Sequence, residues 1–352
     1  MTNPSLTRRR LVGGLAGSGV LLRAPALLAQ SNTVNFVTYG GSYGDAVNKH
    51  LVKPFEQQSG VTVKQGVSEA LAAIKIQVQS KNVQTDLVEL AGGDFLAGMR
   101  DDLFEPLDTS IVKLDKVPQF ARHSHGVEYA LFLSGIGYDQ RKIPDAQAPK
   151  NWAEAYDTNR YKGLRALSKH ISTTATLEDA LLAAGVPIDK LYPLNVDLAF
   201  DSLKKLGSKN IHWYDNNQEP VNFLQQQIGP IANIASGRIA IANRNGAQIG
   251  FVYNELQLSG DYLTVPKGAK NKEGAFRLIN FILNNDQAAV NWMTETTYAL
   301  SNDKAVALMP PDVAAKLPTS PAMKGKFFSK DIDWWGANLN AVTVRFQQFI
   351  AS

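Results

Sequence analysis

Apolar positions at the start of the folded region switch between two periods. Val34, Phe36 and Val37 form a short apolar run that Gly40-Gly41 break, and Val47, Leu51 and Phe55 then recur at helical spacing until Gly60. Val61 and Val63 resume a strand. A strand, glycine turn, helix and strand in that order want a parallel sheet. Ligands of open α/β sheets sit beyond the carboxyl ends of the strands, which puts Tyr39, Gly40, Gly41, Ser42 and Tyr43 in a ligand-facing position. Unpaired N–H groups at the helix start would favour an acid group. A plain tight turn is the other reading of the two glycines.

The pattern repeats in kind. Leu71, Ile74 and Val78 share a helical face, Thr85 to Leu90 reads as a strand, and Gly92-Gly93-Asp94 open a second turn into a helix with Phe95, Met99 and Leu103 inward. Glu128 to Tyr138 is mostly apolar and long for one simple strand; its Ser134-Gly135 interruption suits a chain crossing between lobes.

Residues 139–260 read as an inserted lobe. Helices are expected over Leu177–Ala184 and Val196–Leu206, and a strand over Ile211–Tyr214. Ile231–Gly237 reads as a short helix and Arg238–Ala242 as a strand leading into Asn243-Arg244-Asn245-Gly246. Tyr262–Pro266 carries the chain back, and Ala275, Leu278, Ile279 and Ile282 mark a strongly periodic helix.

At 352 residues the chain exceeds one usual core, so two lobes are expected. The basic pI of about 9.0 comes from its first thirty residues. Arg8, Arg9, Arg10 and Arg23 lie there without an acid, and the remaining 32 Lys+Arg balance 32 Asp+Glu. Nucleic acid and anionic membranes are therefore not indicated as partners. The basic start, the apolar run Leu11–Leu22 and the small residues around Ala24-Pro25-Ala26 and Ala29 read as an export signal over residues 1–30. Thr7-Arg8-Arg9-Arg10-Leu11-Val12 resembles a twin-arginine signal, and the processed chain is expected to start between Leu27 and Ser31 in the periplasm. The chain has no cysteine, which excludes thiol catalysis, cysteine metal sites and a cysteine-linked lipid anchor.

Taken together, PFEQQSGVTV (Pro54–Val63), TDLVEL (Thr85–Leu90), GIGYD (Gly135–Asp139), GAKNKEGAFRLINFIL (Gly268–Leu283) and TYALSNDKA (Thr297–Ala305) identify a resemblance. Over nearly all of the sequence after residue 30, the chain resembles the spermidine/putrescine-type solute-binding proteins of ABC importers. The resemblance implies an α/β fold of the type II periplasmic binding protein kind. Two lobes, 31–138 with 262–310 and 139–261 with 311–352, would be joined by crossing hinge strands and close on a ligand. It also implies a monomer that works with an ABC permease in the inner membrane, without a cofactor or bound metal, and that is not an enzyme.

Carried over residue by residue, the family's ligand contacts fall on Tyr39, Tyr43, Gly93, Asp94, Thr173, Thr174, Arg244 and Asp261. Asp261 stands where polyamine binders keep a carboxylate for an ammonium group. Arg244 replaces their tryptophan, and Ser168–Thr174 lacks their acidic cluster. A fixed guanidinium repels a dication and suits bidentate capture of a carboxylate. The expected solute is therefore amino acid-like, with its amine at Asp261 and its acid at Arg244. A true polyamine is the alternative.

Other chemistries are poorly supplied. A secreted hydrolase lacks a nucleophile-base-orienter set, and Ser42, which stands at G-x-S-x-G spacing in Gly40-Gly41-Ser42-Tyr43-Gly44, reads as part of the ligand-facing turn. His123-Ser124-His125 has no third metal ligand in view and reads as a solvated loop, and adjacent tyrosines for ferric iron are missing. Trp334-Trp335 reads as a packed helix start or as a lid over the ligand. A sensory adaptor of the same fold stays open beside transport.

Overall fold

Strand β1 (Thr33–Thr38) buries every second residue, Val34, Phe36 and Thr38, and leads through Gly40 into helix α1 (Gly41–Val47). The helix continues through a π-helical turn at Asn48–Val52 into α2 (Lys53–Ser59). Pro54, which has no N–H to return to the preceding turn, follows that widened segment directly. Gly60 then ends the helix at φ 69°, a left-handed cap that glycine adopts without a Cβ clash. The computed structural model describes residues 32–67 and 71–351. The export signal expected over residues 1–30 lies outside the described residues.

The chain goes on through β2 (Thr62–Val67), α3 (Leu71–Gln79), β3 (Leu87–Ala91), α4 (Gly92–Arg100), β4 (Arg122–His123) and β5 (Gly126–Asp139). Its middle part supplies α5 (Trp152–Ala155), β6 (Arg165–Ser168), α6 (Thr176–Ala183), α7 (Val196–Leu206), β7 (Ile211–Tyr214), α8 (Glu219–Gln225), β8 (Ile231–Ala235), α9 (Ser236–Arg244) and β9 (Ile249–Phe251). It returns through β10 (Leu256–Thr264), α10 (Lys272–Asn284), α11 (Asp286–Thr296), β11 (Ala299–Leu300), α12 (Asp303–Ala307), α13 (Pro311–Ala314), β12 (Phe327–Ser329) and α14 (Ile332–Ala351).

The strands form one curled sheet in the order β2-β1-β3-β10-β5-β8-β6-β7. Its two ends, β2-β1-β3 and β8-β6-β7, are parallel, as βα units require. The middle is antiparallel: β10 runs against β3 on one side and β5 on the other. β5 holds the two lobes of the fold together, because residues up to Ser134 pair with β10 while Ser134–Tyr138 pair with β8. The long apolar segment from Glu128 is thus part of one 14-residue strand, and the expected crossing happens without a break.

Separate hydrophobic cores lie on either side of that crossing. One gathers Phe36, Leu51, Leu278, Ile282 and Trp292 under α1, α10 and α11. Another gathers Trp152, Leu177, Leu181, Leu203, Trp335 and Phe346. Trp152 and Trp292 are fully buried, and truncating either to alanine removes about 3–5 kcal/mol.

Two expected elements exchange types. Ile231–Ala235 is the strand β8 rather than a helix, and Arg238–Ala242 lies in helix α9 rather than a strand. β8 sits between β5 and β6 with both faces covered, so its apolar residues do not alternate. In α9, Ile239 and Ala242 pack into one core while Ile241 packs into the other, so burial on two sides mimics a strand's alternation. His123 also departs from a solvated loop: it is half-buried and stands edge-on to Phe95 and Tyr262, at 5.5 and 5.1 Å between ring centres.

Candidate ligand cleft

A cleft of about 1210 Å³ opens over the antiparallel middle of the sheet. Its floor is the crossing ribbon, with Glu128, Phe132 and Ser134 from β5 and Gln257 to Tyr262 from β10. One wall carries Tyr39, Tyr43 and the start of α4, and the other carries His170, Ser172, Thr173, Thr174 and Arg238.

Asp261 is buried in that floor, opposite Ala91 of β3 and Ala130 of β5, where a bulge interrupts the β10 register. The bulge turns the strand locally, as such insertions do beside binding sites. Burial pushes the Asp261 carboxyl well above the usual carboxylate range, and nearby Glu89 pushes it further. The Arg238 guanidinium and a hydrogen bond from Tyr39 act the other way. Beneath it, Glu89 is buried, and its own carboxyl is raised by that burial. It accepts hydrogen bonds from Tyr43 and Tyr129, both at 2.5 Å, and from Thr38.

Arg238 stands in the first turn of α9 and is buried. Its Nη1 donates to the Gly40 carbonyl at 3.3 Å and to Gln218 Oε1 at 3.2 Å, and the guanidinium lies 5.8 Å from the centre of the Tyr43 ring. It has no carboxylate partner among the described ion pairs. Its positive charge acts on the cleft, where Asp261 feels it without a direct ion pair.

Of the residues expected from the sequence, Tyr39, Tyr43, Gly93, Asp94, Thr173, Thr174 and Asp261 line this one cleft. Gly40, Gly41 and Ser42 do not line it; their turn faces Gln218, whose Oε1 accepts from Ser42 Oγ at 3.2 Å. Gly41, at φ 67°, has no room for a Cβ, which would meet that same Gln218 oxygen at 2.7 Å. Arg244 is a correction. It is exposed at the end of α9 and donates to the Thr294 carbonyl on the far side from the cleft. The physical reason is the helix: six residues along α9 carry Arg244 almost two turns away from Arg238.

Several cleft groups escaped the sequence reading. In the sequence pattern Glu128 and Arg238 stand only at the starts of apolar segments. A carboxylate opening a run as apolar as Glu128–Tyr138 is the signal that marked Glu128. Lys330 is half-buried, donates to the Ile171 and Thr174 carbonyls at 2.6 Å each, and lies 4.2 Å from the Trp335 ring centre. It thereby fixes the loop that carries Thr173 and Thr174. Trp335 is both a packed helix start and part of the cleft edge, with Nε1 donating to Glu178 and to Tyr192, each at 2.9 Å.

Known proteins share this architecture. The γ-aminobutyric acid-binding protein of Pseudomonas aeruginosa is 29% identical over 337 residues, covering 93% of this chain and 94% of its own. The spermidine/putrescine-binding periplasmic protein of Escherichia coli is 25% identical, covering 85% and 86%. Among solved structures, the binding protein AgtB from Agrobacterium tumefaciens R10 in complex with agropinic acid superposes with a TM-score of 0.84 at 30% identity, covering 91% of this chain and 99% of that one. Among the described residues, no helix is long and apolar enough to cross a membrane. A family model described as bacterial extracellular solute-binding protein matches residues 50–324, and the chain belongs to that family, as a solute-binding protein of an ABC transporter.

Proposed function

We propose that this protein captures, in the periplasm, a small solute bearing both an amine and an acid group, and delivers it as a monomer to its membrane permease without chemical change. The observation that carries the reading is the pair of opposite charges, Arg238 and Asp261, on one cleft. Arginine offers an acid group a planar fork, and Asp261, buried beside Glu89, gains a positive partner besides Arg238 when a cation arrives. The reading shifts the acid-binding role expected of Arg244 to Arg238. Its support includes the relatives whose names give γ-aminobutyric acid and agropinic acid. A polyamine is the second reading, favoured by the carboxylates of Asp94 and Glu128 beside that of Asp261.

Thermal-shift screening of amino acids, ω-amino acids and polyamines on the processed chain, followed by calorimetry, tests the proposal. A tight ligand in excess stabilises by several kcal/mol, about 2.7 at a hundredfold excess over Kd. Binding confined to putrescine or spermidine, undiminished by Arg238→Ala, would replace the first reading with the second.

A further inference from the structure

The charges of the cleft do not balance for a ligand with one amine and one acid. Asp94, Glu128 and Asp261 all line it. Of the basic side chains around them, Arg238 faces Asp261, whereas Lys330 is turned onto the Ile171 and Thr174 carbonyls and Glu178. His170 donates its Nε2 to the Asp215 carbonyl and acts on Asp94 only through space. Arg100 is exposed at the mouth.

Glu128 is held over the floor by a specific arrangement. It accepts a hydrogen bond from Tyr262, and its Oε1 would lie 1.8 Å from a Cβ at position 260. Only glycine at that position of β10 leaves room for the carboxylate. Gly92 brings the start of α4, which carries Asp94, so close to the same residue that a Cβ would stand 3.2 Å from the Tyr262 ring and 3.9 Å from the Gly260 carbonyl oxygen. Glu128 and Asp94 thus line the same part of the cleft, beside Tyr262, and two carboxylates there suit a second cation. Burial pushes both carboxyls above their usual range, so both are short of positive partners in the empty cleft.

We infer that the solute is a diamino acid: one acid group at Arg238, one amine at Asp261 and a second cationic group between Glu128 and Asp94, which set the specificity. The inference rests on the proposed amine-and-acid reading and narrows it. It distinguishes this chain from a receptor for a simple ω-amino acid, whose single cation would leave Glu128 and Asp94 desolvated without compensation.

Calorimetry with three probes tests it: γ-aminobutyrate, with one amine and one acid, putrescine, with two amines, and ornithine, which is putrescine carrying a carboxylate. Ornithine is expected to bind at least about tenfold tighter than either of the others, the step that one charge-assisted contact supplies. Glu128→Gln should cost ornithine about tenfold and change γ-aminobutyrate by less than about threefold. Asp94→Asn, remote from the Gly260 cradle, should act the same way and serves if Glu128→Gln does not fold. If γ-aminobutyrate binds as tightly as ornithine, and both depend on Arg238, the inference fails while the amine-and-acid reading survives. Equal weakening of both ligands by Glu128→Gln reduces Glu128 to a shaper of the floor and also overturns it. Putrescine binding best, with no loss in Arg238→Ala, or no binding by any of the three, removes both.

Discussion

Arg238 Nη1 lies 3.2 Å from Gln218 Oε1, so an amide aims the buried guanidinium without neutralising it. Gln218→Glu would place a carboxylate at that distance. The new ion pair should stabilise the unliganded protein and compete with the acid group of the ligand. An affinity loss of about tenfold for the acid-bearing ligand, with a raised melting temperature, is the expected result. Titration calorimetry and a melting curve of the same variant check both halves.

The two arginines of α9 should separate cleanly. Arg238→Ala is expected to cost about 1.5–3 kcal/mol of binding, roughly ten- to hundredfold in affinity. Arg244→Ala should leave affinity within about threefold, because its side chain is exposed and bonded to the Thr294 carbonyl. Equal losses in the two variants would show that α9 acts as a packed unit and that neither guanidinium meets the ligand.

Ligand capture should release protons. Burial pushes the Asp261 and Glu89 carboxyls above the usual carboxylate range in the empty cleft. An ammonium beside Asp261 lowers its pKa again, so affinity rises with pH through the interval between the unliganded and liganded values. The same two groups bind protons more tightly folded than unfolded. Their contribution to stability is full below the unfolded carboxylate pKa and falls as pH rises through the raised folded value. Binding enthalpies measured in buffers of different ionisation enthalpy report the released protons, and Asp261→Asn should reduce that dependence.

Gly237 is where α9 touches the end of α11. A Cβ there would stand 2.4 Å from the Thr296 carbonyl oxygen and 2.2 Å from a ring carbon of Tyr298. Gly237→Ala should destabilise by about 1–3 kcal/mol through overpacking. It should also weaken ligand binding, since the displaced turn carries Arg238. Denaturant unfolding and ligand titration of that variant check the coupling.

What the sequence revealed, and what it hid, follows burial. Elements with one covered face were legible: the Val34–Phe55 unit and α10 show their periods openly. β8 and α9 are covered on two sides, so their apolar residues carry no period, and their types exchange. The exchange bears on the arginines: a strand over Arg238–Ala242 would make the following loop ligand-facing, whereas helix α9 leaves Arg238, and not Arg244, among the residues that line the cleft. Asp94 is legible from its place in the second glycine turn, and Asp261 only through the family resemblance. Glu128 needed the knowledge that Tyr262 lies across from it and that Gly260 leaves its carboxylate room, relations that only the pairing of β5 with β10 supplies. The lobe limits at 138, 261 and 310 remain a proposal, and α9, which packs against both α8 and α11, is the element that such limits divide least well.

The ribbon of β5 and β10 has a mechanical consequence. A lever moves least at its fulcrum, and any swing of one lobe against the other takes place about these two strands. Asp261 and Glu128 ride on the fulcrum, so their spacing is nearly the same in every lobe position. Gly93 and the Ser172–Thr174 loop sit out on opposing arms, with the Ser172 carbonyl 3.9 Å from where a Gly93 Cβ would be. On the proposed reading, a solute's positive groups would meet a fixed anvil, and closure of the jaws would leave the spacing of that anvil unchanged.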